Sequence, residues 1–398
     1  MSKTFNDLSV DLVYVIFSHL WPEKTDLCNL ALTCRPFRDI AQRFIVRDTS
    51  ISHSVNGSRT KLFLRTLMER PDLVVHVHRL ELDLLREDIH WPEEQQTIHQ
   101  ITRLLTNLRE FCYLSRDYKA WHYSVPLPLK WTREHAHDQV RRVEWHHNMA
   151  PWELRKCMEL PSIETIRVRE LQDDSYGRFT SFDLPARKHR TSSLTELRIG
   201  SPGTLASEAL EKLLHMPRSL KKITFESRKE YQSVLQPAGL VFLLQPVRDS
   251  LEELHVEIRD NLFPASTQAA DLSGFTSIRN LTLPFRYIFG PGAAAPLLSA
   301  ATFLPPHLSE LKILFVSTKA PVPASTVSTL ADNRKALSLF IDSVEQQEEM
   351  PRLLPELRCI TLQGNGDHKS YRPDLEPESL RGALETCSLS RLSVERCF

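Results

Sequence analysis

Histidine and cysteine are the side chains in this chain best suited to metal or nucleophilic chemistry, and their spacing is uneven. His76 and His78 stand two apart, as do His135 and His137, while His146 and His147 are adjacent. Two histidines at i and i+2 share one face of an extended strand, as a metal-binding pair does. Near His76 and His78 no acid or cysteine follows at a spacing that completes a ligand set. They read as exposed strand histidines, and no metal site is expected. The seven cysteines are odd in number, scattered, and include no CxxC pair. That argues against a disulfide framework and for a reducing compartment, cytoplasm or nucleus. Cys34 has no evident His–Asp partner set and reads as a small buried hydrophobe rather than a nucleophile. There is no Gly-x-Ser-x-Gly elbow and no His-Glu-x-x-His. Glycine is scarce, 11 residues against 25 prolines, and "GPG" at 290–292 and "GNG" at 364–366 lack a following helix start. No nucleotide, cofactor or catalytic activity is expected from this inventory.

Arginine offers a second chemistry, the bidentate recognition of carboxylate or phosphate. Arg142, Arg167, Arg169, Arg198 and Lys222 fall at polar positions of four candidate strands, and an acidic zone with Glu253 and Glu257 follows. One reading is a basic stripe that holds an acidic or phosphorylated segment of a partner protein. The plainer reading is a solvated face whose charges pair with one another. Over the whole chain Lys plus Arg equals Asp plus Glu, 50 each. No global field favours nucleic acid or an anionic membrane, and neither is expected as a partner. No apolar run approaches the length of a bilayer span, and the first twenty residues lack a small-residue cleavage site.

The elements that must carry these residues follow a short pattern, apolar-x-x-apolar-x-apolar. It occurs as "VHRLEL" (77–82), "LREFCY" (108–113), "VRRVEW" (140–145), "IETIRV" (163–168), "LTELRI" (194–199) and "LKKITF" (220–225). It returns as "LEELHV" (251–256), "IRNLTL" (278–283), "LSELKI" (308–313), "LRCITL" (357–362) and "LSRLSV" (389–394), with a weaker "RKALSL" (334–339) in the one large gap. Alternation within each unit predicts a strand with one apolar face; helical stretches such as "ASEALEKLLHMP" (206–217) lie between. Starts separated by 23 to 32 residues fall in the range of leucine-rich repeats. Such units bury their apolar faces only by stacking. The expected fold is α/β: an irregular leucine-rich-repeat solenoid with a parallel concave sheet over residues 73–398. The Pro-, Ala-, Ser- and Gly-rich insertions at 114–139, 171–192, 259–276, 284–306 and 316–331 are expected to be surface loops.

The first fifty residues have a different period. Ser9 is a plausible N-cap, Leu12, Ile16 and Leu20 repeat at i, i+4 and i+8 with Val13 and Phe17 beside them, and Pro22 ends the run. "DLCNLALTCRPFRDIAQRF" (26–44) then keeps helical spacing throughout, with Pro36 in its middle. Proline inside a helix costs about 3 kcal/mol but is well placed at a helix start, so two helices are expected, broken after Cys34. Three short helices make a core too small to be robust alone, so a partner is expected to cover them.

The stretch "LSVDLVYVIFSHLWPEKTDLCNLALTCRPFRDIA" resembles an F-box, with Leu8, Leu12, Ile16, Phe17, Leu20, Asp26, Leu27, Leu30, Cys34, Arg35 and Phe37 at the family's motif positions and Ser9 replacing its usual proline. "FLRTLMERPDLVVHVHRLEL" resembles the junction of fungal F-box proteins. The resemblance implies an F-box over residues 1–50, a linker helix within 51–72 with Leu62, Phe63, Leu67 and Met68 on its apolar side, and then the repeats, about twelve strand units. It further implies that Leu8, Leu12, Ile16, Phe17, Leu20, Leu27, Leu30, Arg35 and Phe37 bind a Skp-type adaptor, and through it cullin and RING subunits. The repeats would hold an unknown protein substrate for an SCF-type ubiquitin ligase. The family's asparagine or cysteine after each strand is mostly missing; only Asn148, Asn365 and Cys397 occupy it. The alternative is a leucine-rich-repeat scaffold, or an adaptor-bound F-box protein, without a role in ubiquitin transfer.

Overall fold

A computed structural model describes residues 8–21, 23–52, 58–84, 91–115, 138–171, 184–200, 206–227, 236–258, 269–289, 302–316, 354–365 and 393–397. The chain forms two compact units, residues 1–168 and 169–398. The fold is mixed α/β. Among the described residues, twelve strands, β1 to β12, form a parallel sheet ordered as they occur in the chain.

The first unit opens with α1 (Val10–Leu20), α2 (Lys24–Ala31) and α3 (Arg35–Arg47). Ser9 is extended, and its hydroxyl oxygen accepts the Leu12 N–H at 3.3 Å, so α1 starts with a satisfied donor and Asp11 beside its positive end. The long period through residues 26–44 divides where Pro36 requires it. The chain turns over Leu32 to Cys34, with the Leu32 N–H donating to the Asn29 carbonyl, and Cys34 is extended just before α3. Cys34 is half-buried at that helix start. Val13, Phe17, Leu27, Ile40, Ala41 and Phe44 form the shared core, with Leu8, Leu20, Trp21, Leu30, Ala31, Phe37 and Ile45 packed on it.

β1 (Asp48–Ser52) follows α3 directly and pairs with β2 (Arg79–Leu84), Ile51 opposite Leu82. The sequence reading did not anticipate this strand. Between them lie α4 (Ser58–Glu69) and α5 (Pro71–Val74). On α4 only Leu67 of the expected apolar side is buried; Phe63 is half-buried, while Leu62 and Met68 are exposed. The unit continues with α6 (Trp91–Leu104), β3 (Glu110–Ser115), β4 (Arg142–Met149), α7 (Pro151–Met158) and β5 (Thr165–Leu171), whose last residues fall in the second unit.

The second unit holds β6 (Glu196–Ile199), α8 (Ala206–Leu214), β7 (Lys222–Ser227), α9 (Pro237–Leu244) and β8 (Glu253–Ile258). It then holds β9 (Asn280–Pro284), α10 (Phe285–Phe289), β10 (Glu310–Val316), β11 (Cys359–Asn365) and β12 (Ser393–Cys397). β10 pairs directly with β11, Leu311 opposite Ile360. The strand expected at 334–339 falls on residues outside the described ones.

The recurring hexad has a physical basis in this sheet. In β2 to β10 its first, fourth and sixth residues are buried, as in Leu194, Leu197 and Ile199 or Leu251, Leu254 and Val256. Its second and third residues make the entry to the strand. In the first unit the Arg109 and Glu110 N–H groups both donate to the His78 carbonyl, those of Arg141 and Arg142 to Arg109, and those of Glu164 and Thr165 to Arg141. The second unit repeats the device from Thr195 through Lys221, Glu252 and Arg279 to Ser309, which accepts from Arg358 and Cys359. A backbone ladder thus satisfies the donors at each of these strand entries.

Candidate interaction surfaces

The three N-terminal helices present an apolar face that nothing among the described residues covers. Leu12 is 53% exposed and Val15 51%, one turn apart on α1 with half-buried Ile16 beside them. Val10, Tyr14 and Leu32 are exposed as well. Phe17 and Leu27, expected to touch a partner, are instead fully buried in the core, since they lie on the sides of α1 and α2 that face α3. They hold the face in place and do not form it. Leu8, Leu20, Leu30 and Phe37 are half-buried against that core, the Phe17 and Phe37 rings meeting edge-on at 5.7 Å, and Arg35 is exposed at the start of α3. The sequence reading passed over Val10, Tyr14, Val15 and Leu32. Apolar residues surround most of α1, and only the packing side of α2 and α3 separates core from surface.

On the first unit's sheet the polar side chains form rows across strands. Register places Asp48, Arg79, Glu110 and Arg142 side by side, and Ser50, Glu81, Cys112 and Glu144 in the next row. Arg79 reaches Glu81 at 3.1 Å and Glu110 at 3.9 Å. Arg142 is ion-paired with Oε1 of Glu144. The other carboxylate oxygen, Oε2, lies 3.7 Å from Cys112 Sγ and 3.5 Å from His146 Nε2. The His146 hydrogen bond, helped by Arg142 and the nearby Arg167, holds the Glu144 carboxyl down at about 2 against the opposing effect of burial. Burial first, then the neighbouring Glu144 and Glu81 carboxylates, pushes the Cys112 thiol up to about 12. It is therefore protonated at neutral pH and is no activated nucleophile. The Arg167 side chain, half-buried on β5, acts on Glu144 through its charge.

His76 and His78 do not share a strand face. His76 sits in the turn after α5, and the His78 N–H donates to the Arg47 carbonyl at 2.9 Å just before β2 begins. Burial and the cations around them, Arg43 for His76 and Arg109 and Arg47 for His78, lower both pKa values. His135 and His137 lie outside the described residues.

In the second unit the expected basic residues are mostly engaged. Arg198 is ion-paired with Glu226, and Lys222 reaches Glu253 at 2.8 Å on the neighbouring strand. His255 stands 3.7 Å from Glu257. Arg169 is half-buried, with its backbone packed close against Gly200. Of the expected stripe, Arg142, Arg198 and Lys222 are thus bridged to carboxylates on the same or the neighbouring strand.

No known protein-family model matches the chain, and no curated protein sequence matches it. Among the described residues no helix is long and apolar enough to cross a membrane.

Proposed function

We propose that the chain is the substrate-recognition subunit of an SCF-type cullin–RING ubiquitin ligase, its N-terminal helices acting as an F-box and its strand units as a leucine-rich-repeat solenoid. The observation that carries this reading is the exposed apolar side of α1: Leu12 and Val15 stand in solvent, as does Leu32 just past α2, beside a core with six buried members among the described residues. A face of this kind is stabilised by a partner's apolar surface. The motif residues quoted above point to a Skp-type adaptor as that partner, in the cytoplasm or nucleus. The recurring hexad and the parallel order of its strands support the solenoid reading. In this role the protein tethers a target near a ubiquitin-conjugating enzyme and does no bond chemistry itself.

The test is co-purification of the full chain with a Skp-type adaptor, beside a variant carrying Leu12→Asp and Val15→Asp. Both positions are more than half exposed, so the fold should survive. Capture by the unaltered chain and its loss in the variant is the expected result. Adaptor binding that persists in the variant, or never occurs, would sink the reading.

A further inference from the structure

We propose that Cys112, Glu144 and His146 form a binding site for a zinc-class divalent cation on the polar face of β3 and β4. Their donor atoms, Sγ, a carboxylate oxygen and a ring nitrogen, all lie within 4.8 Å of one another. Tetrahedral zinc with ordinary bond lengths separates a sulfur and an oxygen ligand by about 3.6 Å, and a nitrogen and an oxygen ligand by about 3.4 Å. The separations here are 3.7 Å and 3.5 Å with the same oxygen, Oε2 of Glu144, at the shared vertex. Two of the three donor–donor separations therefore already match the edges of a coordination polyhedron, and the third lies within 4.8 Å.

The surroundings suit a cation. Arg142 occupies Oε1 of Glu144 and leaves Oε2 facing the thiol and imidazole, the orienting role that a neighbouring hydrogen bond plays for a ligating carboxylate. Register sets Glu81 on the other side of Cys112, so the sulfur lies between two carboxylates. A long S–H···O contact is a poor use of that position; a metal–thiolate bond neutralises it. Mixed sulfur, imidazole and carboxylate donors select zinc-class ions over calcium or magnesium. On binding, the Cys112 S–H bond breaks, its proton goes to solvent, and the sulfur electron pair forms the metal bond without change of oxidation state. His146 is 31% exposed in its side chain, so water completes the coordination from that side. The site is independent of the ubiquitin-ligase reading.

Cobalt(II) titration of the full chain, stripped of metal with a chelator, tests the site. One equivalent should produce thiolate-to-cobalt charge-transfer absorption that zinc(II) then displaces. Cys112→Ser should abolish the band. His146→Gln, at the more exposed position, should keep the far-ultraviolet circular dichroism of the unaltered chain and weaken cobalt binding at least about tenfold, since even outer partners of a metal ligand carry that much. The proposal is overturned if the unaltered chain shows no such band, or if either variant keeps the band with the same strength and midpoint.

Discussion

Replacing Glu144 by glutamine removes the carboxylate on which Arg142 and His146 converge. The side chain is only 12% exposed, so solvent screens little of its interaction. Its carboxyl is held at about 2 against an ordinary 4.5. That difference is worth about 3 kcal/mol of preference for the charged form. Because the folded value lies below the unfolded one, this stability is fully present above pH 4.5 and is lost as pH falls toward 2. Glutamine keeps an acceptor for His146 but not the charge, so Glu144→Gln should lower the opening free energy of β4 by about 2–3 kcal/mol at pH 7. The gap should close as the unaltered carboxyl takes up its proton. Hydrogen-exchange mass spectrometry of peptides over residues 142–149, with chelator present, reads this locally in the full chain, and comparison at each pH cancels the intrinsic exchange rates. A gap that is absent at pH 7, or that stays constant down to pH 2, would refute the argument.

Phe17→Ala should cost about 3–5 kcal/mol and collapse exchange protection across residues 10–47, because the core it fills has few other members. Ser9→Ala should remove about 1 kcal/mol through the lost cap on the Leu12 N–H, visible as faster exchange confined to the first turn of α1. At Gly200 an added methyl would press on the Arg169 carbonyl oxygen, a backbone atom that cannot swing away; Gly200→Ala should destabilise the second unit by about 1–3 kcal/mol in chemical denaturation. The Lys222–Glu253 bridge, by contrast, should show a coupling below about 1 kcal/mol in a double-mutant cycle, since both side chains are 37% exposed.

How much of this could be read beforehand depended on what each residue's neighbours had to be. Ten strands begin at the third residue of their hexad, since the apolar positions answer to one local rule: buried at entry, then alternately inward. β12 begins at the fifth residue of its hexad. β1 escaped because "DTSIS" buries only Ile51 and is paired on one side alone. Phe17 and Leu12 look alike in sequence; the packing of α3 makes one core and the other surface. Cys112 and Glu144 lie 32 residues apart and meet only through the parallel register of β3 and β4. A signal existed even so. Both occupy the fifth position of their hexads, as do Glu81 and Arg167, and stacking the hexads by position writes out that row of the first unit's polar face.

The polar positions of the strands also decide which charges can meet a partner. An anionic segment binding at Arg198 must first displace Glu226, and one at Lys222 must displace Glu253, so much of the new contact only replaces an old one. Arg167, in the first unit's row, instead acts on Glu144 through its charge. Reversing Arg198 would set two carboxylates side by side and strain the sheet itself, confounding any loss of binding with loss of structure. Arg167→Gln separates the two. It should cost less than about 1 kcal/mol of stability, through the weakened attraction to Glu144, while sharply reducing capture of an acidic or phosphorylated target. Target capture that survives Arg167→Gln undiminished would mean that recognition does not run through this row, and that the sheet's charges serve only one another.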